Sequence, residues 1–274
     1  MPFASYEHEG RRYVGRVEGD TLVPLAGPGE LGRQTPSDVL ATLVAAGPAV
    51  PADEVRFRPV VPQPDKVICV GLNYKAHVGE TGRDMPAYPV LFNKFASSLI
   101  GAYDPIVVPA ESAQVDYEAE LAVIIGRAGR RIARRDALAH VMGFSVANDV
   151  TMRDYQYKTH QWLQGKAWDN STPIGPYLHT PGEVDVTAVG LRTLLNGEKL
   201  QDSDTSLMIF DIPTLISTIS QFTTLLPGDI ILTGTPGGVG FRRDPQVFLK
   251  AGDEVAIEID GLGAVRNQVI AEAG

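Results

Sequence analysis

The chain has 274 residues, 44% of them hydrophobic and 21% charged, a balance that fits a folded soluble protein with room for one large domain and a small companion. Its 24 basic and 33 acidic residues give a formal net charge of −9, which argues against nucleic acid and anionic membranes as partners but not against a small anion held in a local pocket. The single cysteine, Cys69, excludes an internal disulfide and a cysteine-based zinc site, and no apolar run nears the roughly 18 residues that a membrane span needs.

"MPFASYEHEG" lacks the basic and apolar regions of a signal peptide, so a cytoplasmic location is the expectation. Residues 1–60 read as a small N-terminal α+β domain. "RRYVGRVEGDTLVPL" predicts a hairpin with Gly19-Asp20 at its turn. "TPSDVLATLVAAG" predicts a short helix capped by Thr35 or Ser37 and stopped by Gly47. Pro59, Pro62 and Pro64 then make a stiff, extended boundary, and residues 61–274 form the second, larger unit. That unit reads as many short strands with few helices, a mixed α/β chain rich in β. "KVICVGL", "ELAVIIG", "FSVANDV", "DIILTGT" and "EVAIEID" are its clearest strands, and Cys69 in the first of them reads as a small core residue. "RDALAHV" and "MIFDIPTLISTISQFTTL" are the helix candidates, the second with Phe210, Leu215, Ile219 and Phe222 on one apolar face.

Polar groups punctuate this apolar frame. After the first strand, His77 and Glu80 stand three residues apart, on one face of a helical turn. A carboxylate there would orient the imidazole as a general base, the plain alternative being a surface ion pair. Lys94, in "VLFNKFASSLIG", has an apolar setting and is a candidate for substrate contact. In "VDYEAELAVIIG", Glu118 and Glu120 share one face of a strand that is about to enter a core, with Cα atoms roughly 6.5–7 Å apart. Such a pair is a solvated strand end, or holds a proton, or is bridged by a cation. Asp149, at the end of "GFSVAND", would complete a cluster of three if the two strands are neighbours. Oxygen ligands without Cys or His favour a hard cation, Mg²⁺ first, then Mn²⁺ or Ca²⁺. Lys166, in "WLQGKAWDNSTPIGP", sits in a Gly/Trp/Pro setting from which it could stabilise an oxyanion, or is an ordinary exposed lysine. "TGTPGGVG", residues 233–240, offers backbone N–H groups that could cradle a carboxylate beside the Thr235 hydroxyl, and is neither a P-loop nor a dinucleotide fingerprint. No G-x-S-x-G elbow and no H-E-x-x-H are present.

"GLNYKAHVGE", "LFNKFASSLIG", "DYEAELAVIIG", "GFSVANDVTMRDYQ", "GKAWDNSTPIGP" and "TGTPGGVG", in this order from about Lys66 onward, resemble the fumarylacetoacetate hydrolase family. The resemblance implies a β-roll catalytic domain, the small N-terminal domain that many members carry, and a homodimer. It implies Mg²⁺ or Mn²⁺ on Glu118, Glu120 and Asp149, a water-activating pair in His77 and Glu80, and an oxyanion lysine in Lys166. Gln156 and Thr235 match positions that hold the carboxylate and carbonyl end of the substrate; Arg153 receives no role. The segment "HVGETGRDMPAYP" matches a lid. The implied substrate is a small keto acid or dicarboxylate, in aromatic-acid catabolism by family analogy. The expected reaction is hydrolysis of a C–C bond in an acylpyruvate. The alternatives are oxaloacetate decarboxylation, isomerisation of a 2-hydroxydienoate and, in another class, non-catalytic binding of a dicarboxylate.

Overall fold

A computed structural model describes residues 1–82 and 84–272; Arg83, within the expected lid, lies outside the described residues. Its architecture is β-rich, as expected. A large sheet runs, in spatial order, through Val50–Pro51, Thr21–Pro24, Arg11–Glu18, Phe3–His8, Thr172–His179, Val141–Asn148, Ala119–Ile125, Ile230–Leu232, Val67–Gly71 and Val90–Lys94. A second sheet stacks Glu198–Asp204, Gly190–Leu195, Glu254–Ile259, Gly263–Ala271 and Ile106–Val108. Antiparallel pairing dominates, so short turns suffice between most neighbours. The hairpin predicted at Gly19-Asp20 is present, and its strand Arg11–Glu18 pairs with Phe3–His8, which in turn joins Thr172–His179 where Phe3 pairs with Leu178. Among the described residues, no helix is long and apolar enough to cross a membrane.

The strand Ala119–Ile125 is buried along its whole length because both of its faces are covered. Leu121, Val123 and Ile125 join the core between the two sheets, with Val146, Ile231, Leu191 and Ile257. Ala122 and Ile124 face the other way, onto a core that includes Val14, Leu25, Leu31 and Leu40 of the N-terminal segment. Two-sided burial explains why the sequence reads as a continuous apolar run here instead of alternating.

Two helix expectations need correction. Only Ser37–Leu40 is helical in the first, with Pro36 at its N-cap and no side-chain cap. Downstream, Ala45 bridges Leu25 and the Ala46 N–H donates to the Pro24 carbonyl, so the hairpin edge captures the backbone that a longer helix would need. "RDALAHV" forms a 3-10 stretch, Arg134–His140. The third helix, Ile212–Phe222, does form, but Ile212, Leu215, Ile216 and Ile219 make its buried face, while Phe222 is exposed at the terminus. Its N-cap is Asp211, which accepts the Thr214 N–H at 2.9 Å and pairs with Arg134. Partial burial opposes the Asp211 charge, but Thr214 and Arg134 outweigh it and hold the carboxyl below its usual range. A lowered folded-state value means the charge stabilises the fold above the unfolded value and that the gain is lost as the pH falls. Replacing Asp211 by Ala should cost about 1 kcal/mol, lowering the melting temperature by about 2–4 °C at neutral pH. In parallel melts, the difference from wild type should shrink below about pH 3.9, the unfolded aspartate value.

Candidate active site

Register brings the three acids together. Ala119 pairs with Asn148 and Glu120 with Ala147, which sets Glu118 beside Asp149 at the ends of adjoining strands. The Asp149 N–H donates to the Glu118 carbonyl at 3.0 Å, and the Glu118 N–H to Asn148 Oδ1 at 2.9 Å, locking the two ends. One carboxylate oxygen from each of Glu118, Glu120 and Asp149 lies within 4.8 Å of the others, and all three residues are buried. This is an oxygen-only donor set of the size and charge that a hard divalent cation requires.

Buried cations surround it. Lys166 Nζ donates to Glu118 Oε2 at 2.7 Å and to Asp149 Oδ2 at 2.8 Å. Lys94 Nζ donates to Asp149 Oδ1 at 2.7 Å and to the Val150 carbonyl at 3.0 Å. Arg153 donates from Nε to Asp116 Oδ2 at 2.8 Å, and its other arm lies 2.7 Å from Glu118 Oε1. These pairings split the acids. Burial, then Asp149 and Glu118, push the Glu120 carboxyl well above its ordinary range. Burial opposes the Asp149 charge as well, but Lys166 and Lys94 outweigh it and hold this carboxyl below the usual range. The Lys166 ammonium, likewise opposed by burial, is held above its ordinary value by Asp149 and Glu118.

The arrangement of Lys166 depends on a close approach between two one-turn helices, Arg153–Gln156 and Leu163–Lys166. A Cβ at Gly165 would come within 2.5 Å of the Gln156 backbone, so only glycine allows the contact that carries Lys166 to the acids. Gln156 accepts from Arg153 at 2.9 Å through Oε1, which leaves its amide nitrogen for a ligand. Thr235 Oγ1 accepts from Gln201 Nε2 at 2.9 Å, which leaves the hydroxyl hydrogen to donate. Gln156, Thr235, Lys166, His77, Glu118 and Glu120 all line one cavity of about 30 Å³. Lys94 is not among its lining residues and stands behind Asp149.

His77 and Glu80 lie on the helix Lys75–Thr81, with Nδ1 3.5 Å from Glu80 Oε2, longer than a well-formed hydrogen bond. His77 is buried, lining the cavity, while Glu80 is exposed, so the pair spans the boundary between the site and solvent. Glu80 Oε1 also accepts the Gly238 N–H at 2.8 Å. Burial works against the Glu80 charge, but His77, the Gly238 amide and Arg242 outweigh it and hold its carboxyl below the usual range. The Gly-rich segment therefore does cradle carboxylates, but they are the protein's own. Gly234 N–H donates to Glu120 at 2.8 Å, and Gly240 and Phe241 N–H donate to Asp116 at 2.8 and 3.0 Å.

Asp116 and Gln201 are missing from the sequence reading. Asp116 extends the alternation Asp116, Glu118, Glu120 back by one step, a signal in plain view. Gln201 joins two regions, accepting the Ala119 N–H at 3.0 Å while donating to Thr235. No local motif announces it, since its partners are some 80 and 30 residues away. Arg153, without a role from sequence, is the strut that links Asp116, Glu118 and Gln156.

Residues 66–270 match the family model described as "Fumarylacetoacetate (FAA) hydrolase C-terminal". The chain is 49% identical over 244 residues to a Bos taurus protein named oxaloacetate tautomerase FAHD2A, mitochondrial, covering 88% of this chain and 78% of that one. The Homo sapiens protein of the same name is 48% identical over the same coverage. Among solved structures, the fold matches a 2-hydroxyhepta-2,4-diene-1,7-dioate isomerase from Mycobacterium marinum with a TM-score of 0.85 and 33% identity over all of both chains. It also matches a fumarylacetoacetate hydrolase from Exiguobacterium antarcticum with a TM-score of 0.87 and 36% identity, over 99% of this chain and 100% of that one. By the family match over three-quarters of its length and by these relatives, the chain belongs to the fumarylacetoacetate hydrolase family.

Proposed function

We propose that the protein interconverts the enol and keto forms of a short 2-oxo dicarboxylic acid, with oxaloacetate as the model substrate. The observation that carries this reading is the near-half identity, over 88% of the chain, to proteins named oxaloacetate tautomerase. The expectation of C–C hydrolysis rested on the His77–Glu80 pair. A buried imidazole beside a carboxylate moves a proton to or from carbon as well as it activates water, so the pair itself does not select hydrolysis. The relatives favour the proton transfer.

The donor set fits a hard divalent cation, with Glu118, Glu120 and Asp149 as its ligands and Mg²⁺ or Mn²⁺ as the candidates. Such an ion would supply Lewis-acid stabilisation of negative charge on the oxygens of a 2-oxo acid. The chain's own groups do the rest. Gln156 and Thr235 present donors to the substrate carboxylate and neighbouring carbonyl. Lys166, already bound to two acids, has a third N–H for the oxygen that gains charge as the enol proton leaves. His77 takes the proton that leaves the enol oxygen and delivers it to the adjacent carbon, returning it by the same route in the other direction, and Glu80 keeps its ring oriented. No carbon–carbon bond breaks.

Two measurements test this. Decay of the enol absorbance of oxaloacetate with Mg²⁺ should be accelerated by wild type and slowed about 10²–10⁴-fold by His77→Ala. Release of pyruvate from oxaloacetate or acetylpyruvate at the same rate, with no effect on the enol, would instead assign decarboxylation or hydrolysis. The second measurement concerns the ion. At 100 times its dissociation constant, Mg²⁺ should stabilise the wild-type fold by about 2.7 kcal/mol, read as a rise in melting temperature. Glu120→Gln should lose that rise while melting, without metal, no lower than wild type, because it removes a charge that burial disfavours. An undiminished Mg²⁺ effect in this variant would exclude Glu120 as a ligand.

A further inference from the structure

Three aromatic rings stand where the catalytic cavity meets a larger hollow. Phe92, Trp162 and a third aromatic residue, Tyr157, line the cavity of about 30 Å³ around His77 and Lys166, and all three also line an outer groove of about 540 Å³ bounded by Val90, Thr159 and His160; Tyr157 stacks on Phe241, whereas Phe92 and Trp162 pack on each other. The Phe92 and Trp162 centroids are 5.5 Å apart and their planes cross at 66°, the edge-to-face contact that aromatic pairs prefer. Each ring is also held from elsewhere. Lys166 Nζ sits 4.9 Å over the centre of Phe92. The indole of Trp162 lies against Gly71 so closely that a Cβ there would come within 2.4 Å of its ring. The side chain that would separate Trp162 from the cavity floor is therefore missing, and the ring rests on bare backbone.

We infer that Trp162, braced by Phe92 and Gly71, is a partition that sets substrate length, admitting a short group beyond the reacting carbons and stopping longer 2-oxo acids at the wall of the outer groove. The inference rests on the reading above for the head of the substrate, the 2-oxo carboxylate, and adds what selects its tail. A rigid apolar wall discriminates strongly against added methylenes, because each must displace packed atoms. Removing the indole would join the two hollows, and the outer groove has ample room for an extended chain.

The test is a length series. Binding of 2-oxobutanoate, 2-oxohexanoate and 2-oxooctanoate to the full chain with saturating Mg²⁺ is measured by calorimetry. Wild type should lose at least about tenfold in affinity from the four-carbon to the eight-carbon acid. Trp162→Ala should bind 2-oxooctanoate at least about tenfold tighter than wild type does and so lose the preference for the shorter acid. Trp162→Phe, which keeps a ring, should fall between them. The partition is overturned if wild type binds all three acids alike, if it binds none, or if Trp162→Ala keeps the wild-type length dependence. Should Trp162→Ala fail to fold, the wild-type series and Trp162→Phe decide. Binding needs no turnover, so a length-selective protein that leaves oxaloacetate enol untouched would keep the partition and remove the tautomerase reading. Tautomerisation without length selection would do the reverse.

Discussion

Carboxylates in a dry pocket repel one another and lose their hydration, and everything in this site answers that problem. Asp116, Glu118, Glu120 and Asp149 are all buried, facing three buried cations, Lys94, Arg153 and Lys166. The cations do not share the load evenly. Asp149 has two ammonium partners, Glu118 an ammonium and a guanidinium, and Asp116 a guanidinium and the amides of residues 117, 240 and 241. Glu120 has the Gly234 amide and no direct cation among these bonds. The acid without a direct cation is thus one of the three candidate donors, and a divalent ion there would complete the balance.

That arrangement carries a cost in fold stability. A buried carboxyl whose protonation is favoured by its surroundings makes the metal-free protein less stable as the pH rises through its raised folded-state value. A bound divalent ion would reverse the sign, since it favours the charged form that burial disfavours. It would also leave the cavity with a positive excess, which suits an anionic substrate despite the chain's overall charge of −9. Global acidity and local preference for anions are compatible because the local potential is set by groups within a few ångströms in a poorly screened pocket.

How much of this was legible in the sequence depended on the range of each interaction. The alternation of Glu118 and Glu120 is a two-residue signal, and the apolar run behind it marks a buried strand. Their meeting with Asp149 required only that two neighbouring strands pair. The hairpin at Gly19-Asp20 was legible for the same reason, turn chemistry being local. The helix expected after Thr35 was not, because its backbone groups are drawn to a sheet edge that no window of local sequence displays. Gln201 and the arrangement at Arg153 belong to that second kind. Each satisfies partners far away in the chain, and only the folded register shows which carbonyls, amides and carboxylates need them. The function class depended on least. A His–Glu pair and an acid triad suit proton transfer beside a hard cation, a starting point common to hydrolysis, decarboxylation and tautomerisation, so these residues alone do not choose among the three.

The segment 233–240 shows how one loop can couple proton transfer to the acid cluster. Its Gly234 amide holds Glu120, its Thr235 hydroxyl faces the cavity, and its Gly238 amide holds Glu80, which in turn stands beside His77. The helix Lys75–Thr81 is therefore docked through the same short stretch of backbone that orients a candidate ligand of the ion. A shift of that loop would disturb Glu120, Thr235 and, through Glu80, His77 together. Because Glu80 shares a helix with His77 and accepts from Gly238, the placement of His77, Thr235 and Glu120 depends on one short stretch of backbone, and the geometry of the imidazole is tied to that of the acid cluster rather than set by the helix alone.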